Sequence, residues 1–157
     1  CIRDRGDIMA TPYQKVYDSF LSKIKDYNLG ELSDVVMEYD MHSLLESAIP
    51  YFLCPKVDIF DRDDATAEFK NDLGPEEVNI LGVLMKREWF KRGIADTDVT
   101  QQKFGESDFE FKSQASHLNA LCNAQVNVID REVKNLLSNY SRVTRGKIFD
   151  YRKLAGK

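Results

Sequence analysis

Apolar residues recur every three or four positions through most of this chain, the spacing of one face of an α-helix. Tyr13, Val16, Tyr17, Phe20, Leu21 and Ile24 form the first such stripe. Thr11-Pro12 precedes it as a capping hydroxyl followed by proline at the first helical position, and Asn28-Leu29-Gly30 supplies a stop. The spacing predicts a helix over about 12–27. A second stripe holds Leu44, Leu45, Ala48, Ile49, Phe52 and Leu53, with Ser33-Asp34 and Asp40 both available as caps. Pro50 lies inside it, lacks a backbone donor, and should kink the helix or end it early.

Residues 56–72 lose the helical period. Val57, Ile59 and Phe60 predict a short strand or an extended arm. Gly74-Pro75-Glu76-Glu77 then opens a third helix, its acids favoured by the macrodipole. Its stripe is Val78, Leu81, Leu84, Met85 and Trp89, with Trp89 expected in the core. Lys86, Arg87, Lys91 and Arg92 crowd its expected C-terminal end, and Gly93 is its expected stop. After a polar link with Gly105 as breaker, a long helix is predicted over about 109–141. Its apolar or small positions are Phe111, Ala115, Leu118, Cys122, Ile129, Val133, Leu136 and Tyr140. The expected class is mainly α: a small helical bundle with one long C-terminal helix, an extended loop or short β arm near 56–72, and a basic C-terminal tail. The expected organisation is a disordered leader at 1–10, a helical body at 11–141, and a docking tail at 142–157.

Composition narrows the function classes. The chain has 157 residues, 43% hydrophobic and 31% charged, with net charge −4, which suits one soluble core rather than a bulk nucleic-acid binder. No apolar run approaches the ~20 residues of a membrane span. Cys1, Cys54 and Cys122 are odd in number, far apart and without a CxxC pair, which argues against zinc sites and disulfide frameworks and points to a reducing compartment. CIRDRGDI, ahead of Met9, lacks the apolar stretch of a signal peptide, and its RGD is a short tripeptide of the kind that arises by chance.

Charge is unevenly placed. Residues 142–157 carry Arg142, Arg145, Lys147, Arg152, Lys153 and Lys157 against Asp150 alone. Ile148, Phe149 and Tyr151 interleave with these cations, so this tail has apolar surface to bury as well as charge. Arg142, Arg145, Lys147, Ile148, Phe149, Tyr151, Arg152 and Lys153 are its candidate docking residues. Residues 58–77 hold eight acids against Arg62 and Lys70. Asp58, Asp61, Asp63 and Asp64 are the candidate channel or subunit-interface acids.

Known catalytic patterns are missing. A calcium loop starting at Asp61 lacks the glycine at its sixth position and has Asp72 at its twelfth. His42 and His117 have no histidine three or four residues away. Ser116 and His117 are adjacent on a helix, so their side chains diverge by about 100°. No glycine-rich phosphate loop occurs. No catalytic residue, cofactor or metal ligand is expected.

Three stretches together resemble a known family. They are EEVNILGVLMKREWFKR at 76–92, DVTQQKFGESDFEFKSQASHL at 98–118, and the long helix that follows to Tyr140. The EW-containing helix, polar link and F-x-F-x-SQA-x-HL pattern resembles the head–tail connector, or adaptor, proteins of the neck of tailed bacteriophages, over roughly residues 40–140. The resemblance implies a non-enzymatic virion protein made in the host bacterial cytoplasm. It implies a homo-oligomeric ring, typically a dodecamer, beneath the portal protein and next to other neck or tail-completion proteins. Genomic DNA would pass through the ring without sequence-specific binding, and a terminal arm would dock on the portal. The alternative is a helical nucleic-acid-binding or regulatory protein that works through its basic tail.

Overall fold

The computed structural model describes residues 10–24, 34–103 and 109–148, with side chains at 10–24, 35–96 and 114–142. The leader before residue 10 and the tail from Phe149 onward lie outside the described residues. The fold is mainly helical. In chain order it runs β1 (Thr11–Pro12), α1 (Tyr13–Leu21), α2 (Asp34–Ala48), a single 3₁₀ turn (Ile49–Tyr51), β2 (Arg62–Asp63), β3 (Glu68–Phe69), α3 (Pro75–Lys103) and α4 (Phe109–Ile148). No described helix is long and apolar enough to cross a membrane.

The core follows the predicted stripes. Val16, Phe20, Leu45, Ala48, Leu81 and Met85 are fully buried, and Ile129, Val133 and Tyr140 of α4 close the cluster. Helices α3 and α4 form a long antiparallel hairpin, and α1 and α2 both pack on α3. Pro50 acts as predicted: α2 tightens into the 3₁₀ turn at Ile49–Tyr51 and the chain leaves extended at Phe52. Leu53, predicted on the apolar face, is 65% exposed because that turn rotates it outward.

Several predicted boundaries move. Thr11 does not cap α1. Its hydroxyl is fully buried and accepts the Leu73 N–H at 2.9 Å, while Thr11-Pro12 pairs with Glu68-Phe69 as strand β1. The central strand β3 pairs antiparallel with β1 on one side and β2 on the other. Strand pairing thus begins at Arg62, beyond the predicted Val57–Phe60 stretch, of which only Ile59 is fully buried. Helix α1 ends at Leu21, where Ser22 Oγ and Lys23 Nζ both donate to the Ser19 carbonyl. The predicted stop at Asn28–Gly30 lies outside the described residues.

Gly93 does not end α3, which continues to Lys103. No described glycine has positive φ, and packing against α4 offsets the ~1 kcal/mol that an interior glycine costs. Arg87 and Arg92 therefore lie mid-helix, where they tie neighbouring elements: Arg87 pairs with Asp130 of α4, and Arg92 donates to Ser43 of α2 at 2.7 Å. Gly82 is a contact position rather than a cap. A Cβ there would lie 2.6 Å from Ser19 Oγ and 3.2 Å from the Phe20 nitrogen, so the crossing of α1 and α3 requires glycine.

Helix α4 also outlasts its predicted end at 141 and reaches Ile148. Its 40 residues make a rod about 60 Å long. Tyr140 sits beside Glu77 in the first turn of α3, so the last residues of α4 run about 9 Å past the start of α3.

Candidate interaction surfaces

The arm between Phe52 and Gly74 gives each of the four candidate acids a separate partner. Asp58 Oδ1 accepts the Phe60 and Asp61 N–H groups, an Asx turn that sets up the bend. Asp61 pairs with Lys70 across the β2–β3 hairpin at 2.8 Å, and its carboxylate raises the Lys70 pKa. Asp63 accepts the Ala65 N–H at the hairpin tip. Asp64 accepts the Tyr13 hydroxyl at 2.6 Å, and this bond holds its carboxyl below the usual range. These oxygens do not converge as in a calcium loop. Three of the four side groups are exposed, Asp63 less so, and together they give the arm an acidic outer surface.

Asp64 also belongs to a cluster that the sequence did not announce. His42 and Glu46, one turn apart on α2, face it: His42 Nε2 lies 3.7 Å from Glu46 Oε1 and 4.0 Å from Asp64 Oδ1. Arg62 reaches the same two oxygens, at 3.2 Å from Glu46 and 3.7 Å from Asp64. The imidazole stacks on the Tyr13 ring at 5.7 Å and 22°. A search for histidine pairs misses this group, because the partner at i+4 is a glutamate and the third member arrives from the arm.

The other end of the arm is held by a buried hub. Tyr140, 3% exposed, donates its hydroxyl to Glu77 Oε1 at 2.7 Å and accepts the Lys56 N–H at 2.8 Å. Burial and the Glu77 carboxylate push the Tyr140 hydroxyl far above its ordinary pKa. Lys56 Nζ lies 4.0 Å from the ring centroid, and Phe52 packs edge-on at 5.5 Å. Arm, α3 and α4 meet at this point. A tyrosine and a glutamate 63 residues apart carry no sequence signal of pairing.

The N-terminal half of α4 is only partly covered. Ala115 is buried, but Gln114, Ser116 and His117 are exposed and Leu118 is 50% exposed, which corrects its expected place in the core. Leu118 and Cys122 face a groove of about 560 Å³ with Met41, Leu44, Trp89 and Phe90. Trp89 and Cys122 are therefore half-buried groove walls rather than core. Trp89 packs edge-on against Phe90 at 4.9 Å. Leu121 and Val128, seven residues apart, are 53% and 57% exposed. They share a flank roughly 80–100° round the helix from buried Ile129. The phenylalanines at 109 and 111 lie on α4 where side chains are not described.

Of the candidate docking residues, Arg142 is exposed on α4. Arg145, Lys147 and Ile148 fall in its last turns, described as backbone. Phe149, Tyr151, Arg152 and Lys153 lie outside the described residues.

One arrangement invites a catalytic reading. Lys23 Nζ donates to Ser19 Oγ at 2.8 Å, and burial lowers its pKa. Ser19 Oγ lies against the Gly82 backbone at the α1–α3 crossing, and the lysine also donates to the Ser19 carbonyl at the end of α1.

No protein-family model matches the chain, and neither a curated protein nor a solved structure matches it.

Proposed function

We propose that this chain is a structural subunit of the neck of a tailed bacteriophage, a head–tail connector that assembles as a ring beneath the portal and extends the DNA channel toward the tail. The observation that carries the reading is the surface of α4. A rod about 60 Å long keeps one stripe in its own core and leaves a second apolar flank, Leu121 and Val128, open beside the groove at Leu118. Exposed apolar groups in such an array fit subunit packing. A ring needs two different surfaces per subunit, since head-to-tail contacts close on themselves. The cation-rich end of α4 and the acidic arm supply a complementary pair of this kind. The motifs at 76–118 add the family resemblance, and the portal protein, neighbouring neck proteins and further copies of the chain are the partners that follow from it.

The experiment is the mass and shape of the purified protein, alone and with portal, by native mass spectrometry and electron microscopy. A closed ring in either preparation is the expected result. A monomer in both overturns the reading. Salt-sensitive DNA affinity that vanishes on deleting 142–157 would favour instead the nucleic-acid-binding alternative.

A further inference from the structure

We propose that His42, Glu46 and Asp64 form a binding site for a first-row transition-metal dication of the zinc class, which clamps the β2–β3 hairpin onto α2. The proposal is independent of the ring reading.

The donor set comes first. One ligand atom from each residue, imidazole Nε2 and two carboxylate oxygens, lies within 4.8 Å of the other two. A tetrahedral ion with bonds of about 2.1 Å holds its ligands about 3.4 Å apart. The His42 contacts of 3.7 and 4.0 Å need only small inward turns of half-exposed side-chain tips. An imidazole with two carboxylates suits zinc-like ions, whereas calcium and magnesium prefer oxygen alone.

Position and charge agree with this chemistry. His42 and Glu46 share one face of α2 at the i,i+4 spacing, and stacking on Tyr13 fixes the plane of the imidazole. Tyr13 also holds Asp64 through its hydroxyl, so one buried ring orients two of the three ligands. Two carboxylates face a single guanidinium, that of Arg62, which leaves one net negative charge among these three groups. The Tyr17 hydroxyl feels the same surroundings: burial first, then Glu38 and Asp64, push it up to about 12. Arg62 lies on the same Glu46 Oε1 and Asp64 Oδ1 that His42 faces, so the ion binds after each carboxylate turns to share its two oxygens between the metal and Arg62. The cluster also borders an open groove of about 230 Å³ lined by Tyr17, Val35, Glu38 and Tyr39. That groove provides an entry path and room for a water as fourth ligand.

The test titrates zinc chloride into the full chain after stripping with chelator, read by calorimetry and thermal melting. The expected result is one equivalent bound with micromolar affinity, and a melting temperature about 5 °C or more higher at a hundredfold excess over Kd. His42→Ala should weaken binding by at least ~10-fold. Asp64→Asn should do the same if the alanine variant fails to fold. Magnesium chloride should give no shift. Absence of zinc binding overturns the proposal. So does binding that survives both variants, or binding that disappears only when Cys54 and Cys122 are changed to serine.

Discussion

Tyr140→Phe isolates the hub that joins the arm to the helical hairpin. The substitution keeps the ring, and with it the packing on Phe52 and the cation contact of Lys56. It removes only the hydroxyl, which donates to Glu77 and accepts from the Lys56 N–H. A hydrogen bond to a charged group contributes about 1.5–3 kcal/mol, and an orphaned backbone N–H costs ~1 kcal/mol more. Glu77 is 6% exposed, so water compensates poorly. The expected loss is about 3 kcal/mol, out of a total of ~5–15 for a domain. In thermal melts it corresponds to roughly 6–12 °C at this chain length. Urea unfolding followed by circular dichroism measures it directly. A cycle with Glu77→Gln should give a coupling of ~1.5 kcal/mol or more. A loss below ~0.5 kcal/mol, or simple additivity in that cycle, would refute the claim that this hub holds arm and hairpin together.

Gly82→Ala should lower stability by about 1–2 kcal/mol, since overpacking against Ser19 and Phe20 outweighs a ~1 kcal/mol gain in helix propensity. Equal or higher stability in urea melts would show that α1 and α3 do not cross so closely. Asp64→Asn tests acid sensitivity in the presence of chelator. The Tyr13 hydroxyl depresses the Asp64 pKa below its ordinary 3.8. The carboxylate's stabilisation is therefore complete above pH 3.8 and is lost as the pH falls through the native-state value. The stability gap between wild type and variant should shrink over that acid limb, and a gap that persists unchanged through it would discredit the Tyr13–Asp64 bond.

How much of this was legible in advance depends on range. The stripes at 16–20, 44–52, 81–85 and 129–140 follow from local period and lie in the core, which Met41, Ile59, Phe69, Leu73, Ile80 and Val83 complete. Pro50 works through its own backbone, so its turn was visible too. Thr11 and Gly93 misled because each position is decided by a distant segment, Leu73 and α4 respectively, and the role of Gly82 at the α1–α3 crossing is likewise set by Ser19. The candidate acids were identified as a charged stretch, but their division into turn-maker, hairpin tie and helix contact depends on partners two to fifty-one residues away.

FKSQASHL shows the same division. Its sequence excluded a serine–histidine pair by helix angle alone. Only the fold could show that Gln114, Ser116 and His117 are exposed while Ala115 is buried, because exposure depends on which neighbours arrive. Periodicity, caps and breakers act within a few residues, and they determined that this chain is helical and roughly where its helices lie. The Tyr140 hub, the His42–Glu46–Asp64 cluster and the open flank of α4 exist only where segments far apart in sequence meet, or fail to meet, in space. Those were decided by the tertiary structure.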